Sequence, residues 1–313
     1  MCYGKDMPGS DALKLFSLPF YAMGSACILH LYARPEEGNR IARNAVSEVL
    51  RIEARYSRYR ADSVLSEINR AAGNGGSIAV DEETARLLDY AYSCYQKSGK
   101  LFDITSGILR KAWDFSSGRL PEQQAIDELL RFVGMDKIVW EPPRLTFTAP
   151  GLELDLVGIG KEYAADRAAE ICRGHGIEHG LVNLGGDIHV IGPGPSGQPW
   201  LIDINHPRMP ETSIASIAIE RGSLATSGDY ERYMEVNGKR YCHILSPLTG
   251  WPVSGLSSVS VAAGQCLVAG SISTMAMLKG KEGIHWLTNI NAPHIWMDED
   301  GNKGGTMPSP ISF

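Results

Sequence analysis

A chain of 313 residues, 43% hydrophobic and 21% charged, is long enough to bury a sizeable core and too apolar to be disordered. Its 36 acidic against 30 basic side chains give a net charge of −6, which argues against a nucleic-acid-binding surface. An acidic protein that binds an anion must place positive charge locally or draw it from a metal. Six cysteines (Cys2, Cys27, Cys94, Cys172, Cys242, Cys266) show no Cys-x-x-Cys spacing, so reduced thiols are expected rather than a disulfide framework or a zinc site. The opening Met1-Cys-Tyr-Gly-Lys-Asp-Met-Pro is charged where a signal peptide would be apolar, so a cytoplasmic location without a membrane partner is expected.

The chain reads as a loose arm over 1–20 followed by a single domain over 21–313. A strand is expected over 21–32, entered through Met23-Gly24. An amphipathic helix follows over 36–56, with Ile41, Ala45, Val49 and Ile52 on one stripe. Asp81 is placed to cap a second helix whose first turn holds Glu82 and Glu83. A third begins near Pro121, with Ile126, Leu129 and Leu130 apolar, and stops before Gly134. Strands over 145–147 and 152–156 precede a helix over 161–172, and further strands are expected over 181–190, 200–204 and 213–219.

Ala225-Thr-Ser-Gly-Asp229 reads as a loop of small and hydroxyl residues that a ligand could approach closely. It leads into a hairpin of 233–236 and 240–245 about Asn237-Gly238, the two-residue turn that tolerates positive φ at both positions. His243 and the rigid Pro247-Leu-Thr-Gly-Trp-Pro252 turn follow. No charge occurs from Ser257 to Leu278, but its Ser, Ala, Gly and Thr content predicts a strand leading into a buried helix, not a membrane span. Helices and strands mixed in this order predict an α+β fold with a largely antiparallel sheet.

One turn is shaped for a phosphate. In Asp155-Leu-Val-Gly-Ile-Gly-Lys-Glu-Tyr-Ala-Ala-Asp166 a strand ends, glycines turn and a helix begins, so backbone N–H groups and Lys161 can face an anion. This stretch is similar to Asp-Leu-Gly-Gly-Ile-Ala-Lys-Gly-Tyr-Ala-x-Asp of the FAD:protein FMN transferases, the ApbE family. Ala225-Thr-Ser-Gly-Asp-Tyr230 and His243-Ile-Leu-Ser-Pro-Leu-Thr-Gly-Trp-Pro-Val253 resemble the same family's signature. Further matches are Met23-Gly24, the 56–69 run with Tyr59, Leu101-Phe-Asp-Ile-Thr-Ser-Gly through Trp113 and Phe115, and Asn183-Leu-Gly-Gly-Asp187.

The resemblance implies an α+β ApbE-like fold with the flavin nucleotide in a cleft. It implies transfer of FMN from FAD to a Ser or Thr hydroxyl of an acceptor flavoprotein or redox-complex subunit, with Mg2+ bridging the phosphates and AMP leaving. Tyr59 would stack on the flavin ring and Asp155 would contact it. Met23, Leu101, Phe102, Asp103, Lys161, Thr226, Ser227, Gly228, His243 and Ile244 would complete the nucleotide site, with His243 handling phosphate or proton. The Gly158 carbonyl, Ser273 and Thr274 would serve the metal.

The pattern breaks where the family's metal carboxylate belongs. Ala-Asp-x-x-x-Thr is replaced by Ala269-Gly-Ser-Ile-Ser-Thr274, and hydroxyls alone hold Mg2+ poorly. Ser246 stands where Asp is usual, and Glu162 replaces the Gly after the lysine. Glu162 either supplies the missing carboxylate or is a solvated acid at a helix start. An FAD pyrophosphatase releasing FMN and AMP, and a flavin-binding protein without turnover, stand as alternatives to the transferase.

Overall fold

In the computed structural model of the protein, which describes residues 12–209 and 211–313, the chain enters as a long hairpin. Strands β1 (Lys14–Ala22) and β2 (Ser25–Ala33) pair from Lys14↔Ala33 to Ala22↔Ser25. Met23 and Gly24, at φ of 52° and 74°, make the two-residue turn. The expectation of a loose arm over 1–20 is therefore corrected from Lys14 onward; residues 1–11 lie outside the described residues. Leu18 and Phe20 alternate with exposed neighbours and pack on the core, which fixes the segment as a half-buried edge strand.

Helices α1 (Gly38–Tyr56), α2 (Val64–Gly73) and α3 (Glu82–Lys97) follow, with β3 (Ser77–Ala79) between the last two. Asp81 caps α3 as expected, its Oδ1 accepting from Glu83 and Thr84 N–H at 3.1 and 3.2 Å. A 3-10 turn at Ser106–Lys111 and α4 (Gln123–Leu130) lead to β4 (Ile138–Glu141) and β5 (Arg144–Phe147), which join β3 in a small sheet. The strand expected over 152–156 is absent. Leu152, Leu154 and Leu156 are buried there, but the backbone bonds to a side chain: Asn69 accepts from Leu154 N–H at 2.7 Å and donates to its carbonyl at 2.9 Å.

Helix α5 (Gly160–Gly174) then packs on α1 and on the main sheet. That sheet adds β6 (Gly180–Leu184) and β7 (Asp187–Gly192) to the opening hairpin. Strands β8 (Trp200–Asn205) and β9 (Ser213–Ile219) form a separate antiparallel pair, and β10 (Gly222–Gly228) returns to the main sheet. After the hairpin β11 (Tyr233–Val236) and β12 (Lys239–Cys242) come β13 (Leu256–Ala263), α6 (Cys266–Lys279), α7 (Glu282–Asn289), β14 (His294–Asp298) and β15 (Lys303–Gly305). The eight-stranded order is β1-β2-β6-β7-β10-β13-β14-β15, antiparallel throughout. Side chains alternate between its faces: Val182, Ala225 and Val261 join the helical core, while Leu181, Leu224 and Ala262 pack towards β8 and β9.

The loop expected at 225–229 is instead the end of β10, paired to β13 from Ser223↔Ala263 to Gly228↔Ser258. Its small residues reflect packing. Ala225 is fully buried and Ser227 bonds directly to α6, so small side chains admit that helix close to the strand. The uncharged run over 257–278 is β13 followed by the buried α6, and no helix among the described residues is long and apolar enough to cross a membrane.

Candidate active site

The start of α5 organises the site. Lys161 Nζ lies 2.9 Å from the carboxylate of Asp187, on the turn where β7 begins. Burial alone would make the Lys161 ammonium easier to deprotonate; Asp187 outweighs it and holds the lysine charged. The turn itself is tight: Gly185 and Gly186 have φ of 60° and 97°, and Asn183 Oδ1 accepts from Gly186 N–H at 2.8 Å. Gly158, at φ of 96°, lies beside Phe102, so the glycine turn before α5 meets the segment containing Leu101 and Phe102.

Glu162 points into the protein rather than to solvent. It is only 6% exposed, and its Oε2 is buried without a hydrogen-bond partner. Burial, reinforced by the charge of Asp187, pushes its carboxyl up to about 8 against the pull of Lys161. The expectation of a solvated helix-start acid is thereby corrected. Its carboxylate lies over Gly270 of α6: a Cβ there would sit 2.5 Å from Glu162 Cγ and 2.7 Å from Oε1. One turn further along α6, Ser273 and Thr274 hold Ser227 Oγ of β10 at 2.8 and 3.0 Å, and Ser273 Oγ also donates to the Gly270 carbonyl at 2.9 Å. Thr226 Oγ1 pairs with Ser260 at 2.7 Å, and Gly228 closes the strand.

No group of three His, Cys, Asp or Glu side chains that could hold a metal occurs among the described residues. A cation here would depend on one carboxylate supplemented by hydroxyl and carbonyl oxygens, the hard ligands Mg2+ takes when it keeps waters of its own. The orphaned Glu162 oxygen makes that set fit.

His243 sits just past β12, with its N–H 2.9 Å and its Nδ1 3.2 Å from the Arg232 carbonyl. Nδ1 therefore carries the proton and donates, leaving Nε2 as an acceptor. Burial lowers the affinity of the imidazole for a second proton, so it is neutral at pH 7. Gly24 of the β1–β2 turn lies beside the Arg232 guanidinium, and Met23 N–H donates to Glu53 at 2.5 Å. Ile244 packs against the main core and its carbonyl receives Val253 N–H at 2.9 Å.

Tyr59 is 80% exposed, so most of its ring is open to solvent. The Arg58 guanidinium lies 4.8 Å from its centroid, bonds its hydroxyl at 2.8 Å and reaches Asp155 in a short ion pair. Arg58 thus ties the two expected flavin contacts together, and sequence reasoning missed it. Its Nε is buried without a partner.

Other expected residues have duties inside the fold. Asp103 Oδ1 accepts from Thr105 N–H and hydroxyl at 2.8 and 2.6 Å, and Oδ2 from Met135 N–H at 3.1 Å, so it ties its own loop. Trp113, grouped with the site by its motif, is buried against Phe115, Tyr241 and Trp251 and donates to the Gly250 carbonyl at 2.8 Å. Asp166 accepts from Cys266 and Leu267 N–H at 2.7 and 2.9 Å, capping α6 from across the α5–α6 contact. It also receives His189 Nδ1–H at 2.6 Å, the tautomer fixed by Arg173 donating to His189 Nε2 at 2.8 Å.

Known proteins share this fold and much of this sequence. A sequence model described as the ApbE family matches residues 23–296. An FAD:protein FMN transferase of Vibrio cholerae is 33% identical over 238 residues, 74% of this chain and 71% of that protein. One from Klebsiella pneumoniae is 32% identical over 254 residues, 79% and 77% of the two chains. The crystal structure of the ApbE protein of Thermotoga maritima superposes with a TM-score of 0.86 at 30% identity, covering 94% of this chain and 97% of that one. The fold, the order of its motifs and these likenesses together establish that the chain belongs to the ApbE family.

Proposed function

We propose that this chain transfers FMN from FAD to a Ser or Thr hydroxyl of an acceptor flavoprotein or redox-complex subunit and releases AMP. The carrying observation is the start of α5: a charged, half-buried Lys161 paired with Asp187, followed by Glu162, whose free carboxylate oxygen is buried against α6, the helix whose Ser273 and Thr274 hydroxyls bond to Ser227 of β10. The names of the curated relatives support the same reaction.

In this reading the exposed face of Tyr59 receives the isoalloxazine, with Asp155 and Arg58 at its edge. Met23, Leu101, Phe102 and Ile244 give the nucleotide an apolar border, and Lys161 with the α5 N-terminus attracts its phosphates. The acceptor hydroxyl attacks the FMN-side phosphorus, the bond to the bridging oxygen breaks, and AMP leaves with the electron pair. His243 Nε2 is the acceptor for the hydroxyl proton, its partner nitrogen fixed on the Arg232 carbonyl. Mg2+, when bound, neutralises charge that builds on both phosphates as the pyrophosphate opens. Glu162, Ser273, Thr274 and the Gly158 carbonyl are the residues that would hold it. Five buried free thiols among the described residues suit a reducing compartment, so we place the protein in the cytoplasm.

The test supplies FAD, Mg2+ and an unflavinylated redox-complex subunit that carries phosphoester-linked FMN when mature. Flavin fluorescence that stays with that subunit on a denaturing gel, with one AMP released per flavin attached, is the expected result. AMP and free FMN without attachment would mean hydrolysis; FAD retained intact would mean binding alone.

A further inference from the structure

We propose that Glu162 and Gly270 are a reciprocal pair: the carboxylate of the cation site is carried by α5, and Gly270 leaves α6 bare to receive it. The proposal rests on the transferase reading and names the residue on which its cation would depend. Three observations carry it. First, Gly270 lies inside a regular helix, where glycine costs about 1 kcal/mol relative to alanine. It has no positive φ to justify that cost. What it provides is space, since an added Cβ would lie 2.5, 2.7 and 2.9 Å from Glu162 Cγ, Oε1 and Cδ.

Second, Glu162 crosses from α5 to fill that space yet makes no bond through Oε2, which is buried and unpartnered. A buried carboxylate oxygen without a donor or cation is costly, and protein side chains nearby do not relieve it. Third, Ser273 and Thr274 follow Gly270 at i+3 and i+4, so they share its helix face. Their hydroxyls converge with that of Ser227 within 3.0 Å. One carboxylate and several neutral oxygens therefore lie on the two helix faces that meet at Gly270.

The test uses Mn2+ as a paramagnetic stand-in for Mg2+, with binding read by electron paramagnetic resonance or calorimetry in the presence of FAD. Removing a mere outer-shell partner costs about 10- to 100-fold in metal affinity, so Glu162→Gln should weaken Mn2+ by at least about tenfold while the melting transition stays intact. The double variant Glu162→Gly with Gly270→Asp, which returns the carboxylate to α6, should recover most of that loss. Glu162→Gln binding Mn2+ as tightly as the unaltered protein would overturn the proposal. So would a folded double variant no better than the single one, or an unaltered protein that binds FAD by fluorescence quenching but no Mn2+. AMP release persisting in Glu162→Gln with unchanged Mn2+ affinity would sink the pairing and leave the transferase reading standing.

Discussion

Substituting Gly270 by alanine sets two effects of opposite sign against each other. In an ordinary helix interior, Gly→Ala stabilises by about 1 kcal/mol. Here the new methyl would meet Glu162 Cγ at 2.5 Å, and Oε1 and Cδ at 2.7 and 2.9 Å, so the Glu162 side chain must shift within a packed interior. Overpacking of that kind costs about 1–3 kcal/mol, leaving Gly270→Ala neutral to destabilising by about 2 kcal/mol. With Glu162 already cut to alanine the obstacle is gone, and the same change should stabilise by about 1 kcal/mol. Urea unfolding of the four proteins of the cycle, followed by circular dichroism without added metal, gives the coupling directly. The account expects a coupling of about 1–3 kcal/mol between the two positions. Additive effects within about 0.5 kcal/mol would refute the placement of Glu162 over Gly270.

Three other outcomes follow from the same geometry. Asp166→Ala strips the cap from the buried Cys266 and part-buried Leu267 N–H groups of α6 and leaves His189 Nδ1–H only the longer bond to Ser223 Oγ at 3.1 Å, a loss of about 2–4 kcal/mol in chemical denaturation; Asp166→Asn, which keeps an acceptor oxygen, should lose less. Tyr59→Ala should leave the melting temperature unchanged, because the ring is exposed, but weaken FAD by about two- to twelve-fold in fluorescence titration, the worth of one aromatic pair. Because Glu162 is raised from 4.5 to about 8, the folded state keeps a proton that the unfolded chain releases. Stability of the metal-free protein should therefore fall as pH rises from 4.5 to about 8 and level off above; denaturation midpoints in a chelator should show this slope, and Glu162→Gln should flatten it.

Much of the fold was legible because its signals were local. The stripe of Ile41, Ala45, Val49 and Ile52 predicted α1, Asp81 capped α3, and Asn237-Gly238 turned the β11–β12 hairpin. What misled was small or uncharged sequence whose meaning depends on partners. Ala225 and Ser227 look like loop residues until α6 is laid against them, and β1 is invisible without β2 to pair with. Leu152, Leu154 and Leu156 have a strand's alternation, yet Asn69, far off in sequence, takes both backbone bonds of Leu154. Of the residues picked out through motif spacing, the hydroxyls of Ser273 and Thr274 lie within 3.0 Å of Ser227 Oγ, and Lys161 lies against Asp187. Arg58 was not, because nothing local says that it reaches Asp155. Asp103 and Trp113 stand in the same motifs as other expected site residues, and their own hydrogen bonds hold the loops that carry them.

The most direct measurement is the rate of AMP release from FAD in Mg2+, compared between the unaltered protein and Glu162→Gln at equal flavin occupancy. The account predicts steady release that a chelator stops and that the glutamine variant loses almost entirely. Unaltered protein that saturates with FAD and never cleaves it, whatever divalent ion is supplied, would contradict it.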